Sequence, residues 1–137
     1  MTTETLNLIK EYECNGDFTY ARATDMQLLT AENVLNVIIP NQYRVFLEEY
    51  GHGGIGGIEV LGIGKNGALL FVSETVKYRE YGLAANLIVV ENCDEWIYCI
   101  NCDDGKIISW CNDSVNPAYS SFDEYLEDRF KDASENI

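Results

Sequence analysis

Basic residues are scarce in this chain: nine lysines and arginines stand against twenty-three aspartates and glutamates, a formal net charge of −14. Nucleic-acid binding works by neutralising phosphates, so the deficit argues against DNA or RNA as a partner, and an anionic membrane would repel the chain for the same reason. Such a field favours steered association with a basic protein, or it is an acidic surface with no role beyond solubility. Histidine is scarcer still. His52 is the only one, no serine or cysteine carries a local nucleophile signature, and no spacing among the carboxylates singles out an acid/base pair. No enzymatic activity and no cofactor are expected. No apolar run approaches the roughly 18 residues of a membrane span, and Met1 to Glu13 lacks the apolar core of a secretory signal, so the expected location is the cytoplasm. There, five cysteines, an odd number, should be free thiols.

What is present is 47% hydrophobic residues and only two prolines in 137 residues, enough for one domain that buries about two-thirds of its unfolded surface. Its organising stretch runs from Ala31 to Gly67. Pro40 suits a helix start, so a helix should begin near Asn41, with Tyr43, Phe46, Leu47 and Tyr50 on one face. Gly51 should cap it in a left-handed conformation. Gly53, Gly54, Gly56 and Gly57 then form a corner before an expected strand at Ile58, Val60, Leu61 and Ile63. Gly51, Gly53 and Gly56 match a dinucleotide-binding fingerprint literally, but that motif follows a strand and opens a helix, whereas here the helix comes first. Gly64-Lys65 lacks the earlier glycine and the following hydroxyl residue of a phosphate loop.

Around this stretch the chain reads as helices at both ends with sheet between. Thr3 to Tyr12 predicts a short helix with Leu6, Ile9 and Tyr12 on one face, and Asn15-Gly16-Asp17 a turn. Thr24 to Gln27 has the form of a capping box, opening a helix from about Asp25 to Asn36 with Leu28, Ala31, Leu35 and Ile38 at helical spacing. Leu69 to Val72 reads as a short strand, Ser73 to Tyr81 as a helix ended by Gly82. Leu87–Val90, Trp96–Ile100 and Lys106–Trp110 are β-branched and aromatic, and Asp104-Gly105 is a hairpin signal. Ser121 to Glu124 is a second capping-box pattern, leading into a helix with Phe122, Tyr125, Leu126 and Arg129 on one side and fraying from about Asp132. The fold class is therefore α+β: a single domain over residues 1–137 whose antiparallel sheet carries the N-terminal helices and a C-terminal helix mainly on one face.

Cys99 and Cys102 form a CxxC, with Cys93 and Cys111 nearby. On one strand the two would point to opposite sheet faces, so neither zinc nor a disulfide is expected. The acidic groups that stand out are Asp94, Glu95, Asp103, Asp104 and Asp113. They lie at strand ends beside Trp96, Tyr98 and Trp110, and the loops are expected to form a negative rim around aromatic side chains, a mixture suited to a basic protein partner. The plainer reading is that hairpin turns are acidic and the tryptophans are core.

Ala31-Glu32, Leu35, Ile39-Pro40, Tyr43, Phe46-Leu47, Tyr50-Gly51 and Gly53-Gly54 resemble a motif of the SUKH superfamily, which holds bacterial immunity proteins and the yeast cell-wall-synthesis regulators of the SMI/KNR type. Tyr81-Gly82-Leu83, the strand from Asn86 to Glu91, Asp104-Gly105 with Trp110, and Ser121 to Leu126 extend the resemblance over nearly the whole chain from Ala31. Ile39 stands where the family more often has leucine. The resemblance implies an antitoxin that binds and neutralises a cognate secreted toxin, many such toxins being nucleases, by stoichiometric occlusion. The alternative it implies is a regulatory or scaffolding module that binds endogenous proteins. A small-molecule or metal-binding domain is a third possibility.

Overall fold

The computed structural model describes residues 1–14 and 18–137, so the turn expected at residues 15–17 lies outside it. The element order is α1 (Thr3–Tyr12), α2 (Asp25–Leu35), α3 (Asn41–Tyr50), α4 (Leu70–Arg79), β1 (Leu87–Asn92), β2 (Ile97–Asn101), β3 (Ile107–Cys111), β4 (Ser114–Tyr119) and α5 (Phe122–Glu135). The strands form one antiparallel meander in sequence order.

Local chemistry sets most helix ends. At α2 the Thr24 hydroxyl accepts from the Gln27 N–H, and the Gln27 side chain accepts from the Thr24 N–H at 2.9 Å, a complete capping box. Asn36, in the left-handed region at φ 56°, ends the helix one residue early. Ile38 thus falls outside it and is 79% exposed, while Ile39 takes the core position. In α1 the buried face is Thr5, Leu8 and Ile9; Leu6, expected inside, is 43% exposed. In α5 the Ser121 hydroxyl accepts from the Glu124 N–H, and burial of Phe130 and Ala133 carries the helix past Asp132 to Glu135.

Two expected strands are absent. From Val60 to Ile63 each backbone N–H goes to a different partner: Val60 to Gly53, Leu61 to Val90, Gly62 to the His52 ring and Ile63 to Gly51. No single neighbour runs alongside, so the segment makes isolated bridges and not a ladder. Leu69 to Val72 is instead the start of α4, whose Leu70 N–H bonds the Gly62 carbonyl at 2.9 Å. Conversely β4 is an extra strand over a polar segment. It lies at the open edge of the sheet, where Pro117 removes no needed donor.

Pairing register assigns the sheet faces. Glu91, Tyr98 and Ser109 share one, and Asn92, Ile97 and Trp110 the other. The first face meets α5, through Tyr125 on Tyr98 at 5.5 Å and Arg129 on Glu91. Tyr43, Phe46 and Phe122 extend that core across α3. Helix α4 crosses the outer edge of β1: buried Thr75 accepts from the Val89 N–H at 3.0 Å, and Tyr78 packs on Trp110 from the second face. Beside it the Leu61 N–H bonds Val90, the extra residue of a bulge in β1, so this edge is covered.

One buried ion pair ties the sheet to α5. The Glu91 carboxylate accepts from Arg129 Nε at 3.0 Å, from Arg129 Nη2 at 2.6 Å and from the Tyr125 hydroxyl at 2.7 Å. The guanidinium also lies 5.3 Å from the Tyr98 ring centre. The Cys93 thiol donates to Glu91 Oε2 at 3.4 Å, so each carboxylate oxygen accepts two bonds and the pair serves as a fastener.

Candidate functional site

A meander alternates its turns between two ends of the sheet, and that corrects the expected single rim. The β1–β2 turn, with Asp94 and Glu95, and the β3–β4 turn, with Asp113, lie at one end. The β2–β3 turn, with Asp103 and Asp104, lies at the other, about 15 Å away along strands of five residues.

The two groups also differ in what their carboxylates do. Asp103 accepts from the side chain of Asn86, the residue before β1, at 3.0 Å, and Asp104 from the Lys106 N–H at 2.9 Å, so the first carboxylate ties the turn to the start of β1 and the second shapes the turn itself. Gly105, at φ 76°, completes it. Among the described residues no hydrogen bond or ion pair engages the carboxylates of Asp94, Glu95 or Asp113, and all three residues are exposed.

Aromatic rings stand beside that first end. Trp110 is only 9% exposed, packed edge-to-face on Tyr78 at 5.8 Å. Tyr78 meets Tyr81 at 6.1 Å, and Tyr81 is 64% exposed just past the end of α4. Trp96, 37% exposed, leans on Tyr98. Trp110 is therefore core with one edge at the surface, and Trp96 is a surface residue. The sequence reading missed Tyr78 and Tyr81, which reach this end because α4 crosses the edge of β1.

The glycine corner is differently used. Gly51 adopts φ 75° and ψ −66°, outside the expected left-handed helical region, and makes a three-residue turn in which the His52 N–H bonds Tyr50 at 2.9 Å. The His52 ring is buried. Its Nδ1 accepts from the Gly62 N–H at 2.9 Å, which leaves Nε2 to donate to Glu59 Oε1 at 3.0 Å. Both nitrogens of the chain's single imidazole are thus committed to holding the corner.

The cysteines are unpaired. Cys99 is buried in β2, whereas Cys102 lies one residue past the strand, so the parity argument applies only to the first. Burial pushes the Cys99 thiol well up and raises Cys102 to about 12, helped by Asp103; burial and Glu91 raise Cys93 to about 12. These shifts favour the neutral thiol over the thiolate, which is the nucleophilic form. Among the described residues no three histidine, cysteine or carboxylate side chains converge as a metal site needs, and no helix is long and apolar enough to cross a membrane.

This fold, a four-stranded meander fastened between α4 and α5 with a glycine corner over its first edge, defines a compact α+β module. It matches the family described as SMI1-KNR4 cell-wall, SUKH_5, over residues 3–131, and the chain belongs to that family. It is also similar to a crystal structure of a protein from Pseudomonas syringae pv. tomato, with a TM-score of 0.70 over 90% of this chain and 96% of that one. At 17% identity the likeness is one of fold.

Proposed function

We propose that this protein is an immunity protein: in the cytoplasm it binds a cognate toxin with a basic surface and neutralises it by one-to-one occlusion, without chemistry of its own. The observation that carries this reading is the end of the sheet where the unpartnered carboxylates of Asp94, Glu95 and Asp113 surround exposed aromatic surface. Exposed rings supply contact area, and unpaired carboxylates supply steering and specificity toward arginine. Family membership and the −14 charge support the same reading. If the toxin is a nuclease, the acidic end stands where nucleic acid would lie. Asp103 and Asp104, whose carboxylates are already hydrogen-bonded to Asn86 and Lys106, contribute through the overall field.

The test is titration into the cognate toxin. Toxin activity should vanish at an equimolar ratio. Protection that persists at a small fraction of one equivalent would mean turnover and contradict occlusion. Full toxin activity in the presence of excess protein would favour the regulatory alternative, in which the same surface serves an endogenous partner.

A further inference from the structure

Two notches flank the Tyr78–Trp110 ring pair. The larger, a cavity of about 380 Å³, is closed by Tyr81 on one side and by Asn112 and Asp113 on the other. The smaller, about 120 Å³, is closed by Asp94, Glu95 and Trp96. Both are lined by Tyr78, Trp110 and Asn112, so they are neighbours separated by little more than the rings themselves. The rings meet nearly at right angles, 80° for Tyr78 against Trp110 and 65° for Tyr78 against Tyr81. Each notch is therefore a corner with aromatic walls and a carboxylate at its rim.

We propose that this end is a receptor for two adjacent arginine side chains of the partner protein, one in each notch, straddling the Tyr78–Trp110 pair. The inference rests on the reading of this end as the partner-binding surface and names the chemistry it recognises. An aromatic face attracts a cation through its quadrupole, and the attraction grows when ring and cation leave water together. Within the chain the Tyr78 ring already holds a cation in this way, with Lys77 Nζ 5.4 Å from its centre. Arginine fits better than lysine: its planar guanidinium stacks on a ring while its forked N–H groups reach a carboxylate side-on. Asp113 serves the larger notch and Asp94 or Glu95 the smaller. A second copy of the chain is a poor occupant, because two bodies of charge −14 repel.

The probe is the dipeptide Arg-Arg amide, titrated into the folded protein while the indole N–H resonances of Trp96 and Trp110, the only two tryptophans, are followed by NMR. Both should shift saturably, and the neutral isostere citrulline-citrulline amide should bind at least about ten-fold more weakly. Tyr81→Ala, at an exposed position that leaves the core intact, and Asp113→Asn should each weaken Arg-Arg binding by about three-fold or more. Absence of a saturable shift, equal binding of the citrulline peptide, or indifference to both substitutions would overturn the proposal. If the peptide fails to bind but the toxin is still neutralised at one equivalent, this inference falls alone. If the peptide binds and the toxin is untouched, the proposed function falls and the notches stand.

Discussion

The glycine corner and the acidic end of the sheet both concentrate side chains that a domain core rarely uses, and their polar atoms meet opposite fates. At the corner every group closes inward: His52 bonds Gly62 and Glu59, and the Tyr43 hydroxyl donates to the Leu61 carbonyl at 2.5 Å. At the acidic end the carboxylates of Asp94, Glu95 and Asp113 face outward with no partner among the described residues. A single histidine in a glycine-rich loop attracts functional readings, yet its bonding shows it spent on structure. Acidic hairpin turns look ordinary, yet only two of the five acids in them, Asp103 and Asp104, have carboxylates bonded among the described residues.

The contrast can be broken by substitution, and the largest effect belongs to the corner. A Cβ on Gly62 would lie 1.7 Å from the Gly51 carbonyl oxygen, a collision with backbone that no rotamer relieves. Gly62→Ala should therefore abolish the cooperative urea transition, and a stable folded variant would show that the corner yields more than its packing implies. Next comes Trp110, the buried ring at the acidic end: truncation to alanine should lower unfolding free energy by about 3–5 kcal/mol, the range for a buried aromatic, measured by urea titration followed by circular dichroism. A loss under about 1 kcal/mol would make Trp110 a surface anchor instead. His52→Ala should cost about 1–3 kcal/mol in the same assay, because the Gly62 N–H is left buried without an acceptor. At the far end of the scale, Asp94→Asn, Glu95→Gln and Asp113→Asn together should change stability by no more than about 0.5 kcal/mol, since among the described residues nothing bonds these carboxylates.

Much of the fold was legible because its signals are local. The Thr24–Gln27 capping box, the Tyr43, Phe46, Leu47 stripe of α3 and the Asp104-Gly105 hairpin are each set by neighbouring residues, and each stands where the sequence puts it. The failures are tertiary. Ile58 to Ile63 carries strand residues, but its N–H groups are drawn to four separate partners by the close approach of Gly62 to Gly51. Leu69 to Val72 is an apolar run of ambiguous period, resolved as a helix by the Gly62 carbonyl that receives its first N–H. Strand β4 was hidden by Pro117 and by polar residues that only an edge position tolerates. The site suffered most. The acids and Trp110 were visible as residue types, but which turns share an end depends on strand order. The contribution of Tyr78 and Tyr81 depends on α4 crossing β1, which no spacing within one helix reveals.

The central claim is that the two groups of acids differ in role, and the association rate with the cognate partner tests it most directly. Charge on an interface rim acts mainly on this rate, and at about 0.15 M salt its reach is only about 8 Å. Stopped-flow association at low and at physiological salt should be measured for the variant neutralised at Asp94, Glu95 and Asp113, and for Asp103→Asn with Asp104→Asn. The account predicts that the first slows association by about ten-fold or more at low salt, an effect that shrinks as salt rises, while the second changes it by less than about three-fold. Equal slowing by the two variants, or slowing by the second alone, would contradict it and move the interface to the opposite end of the sheet.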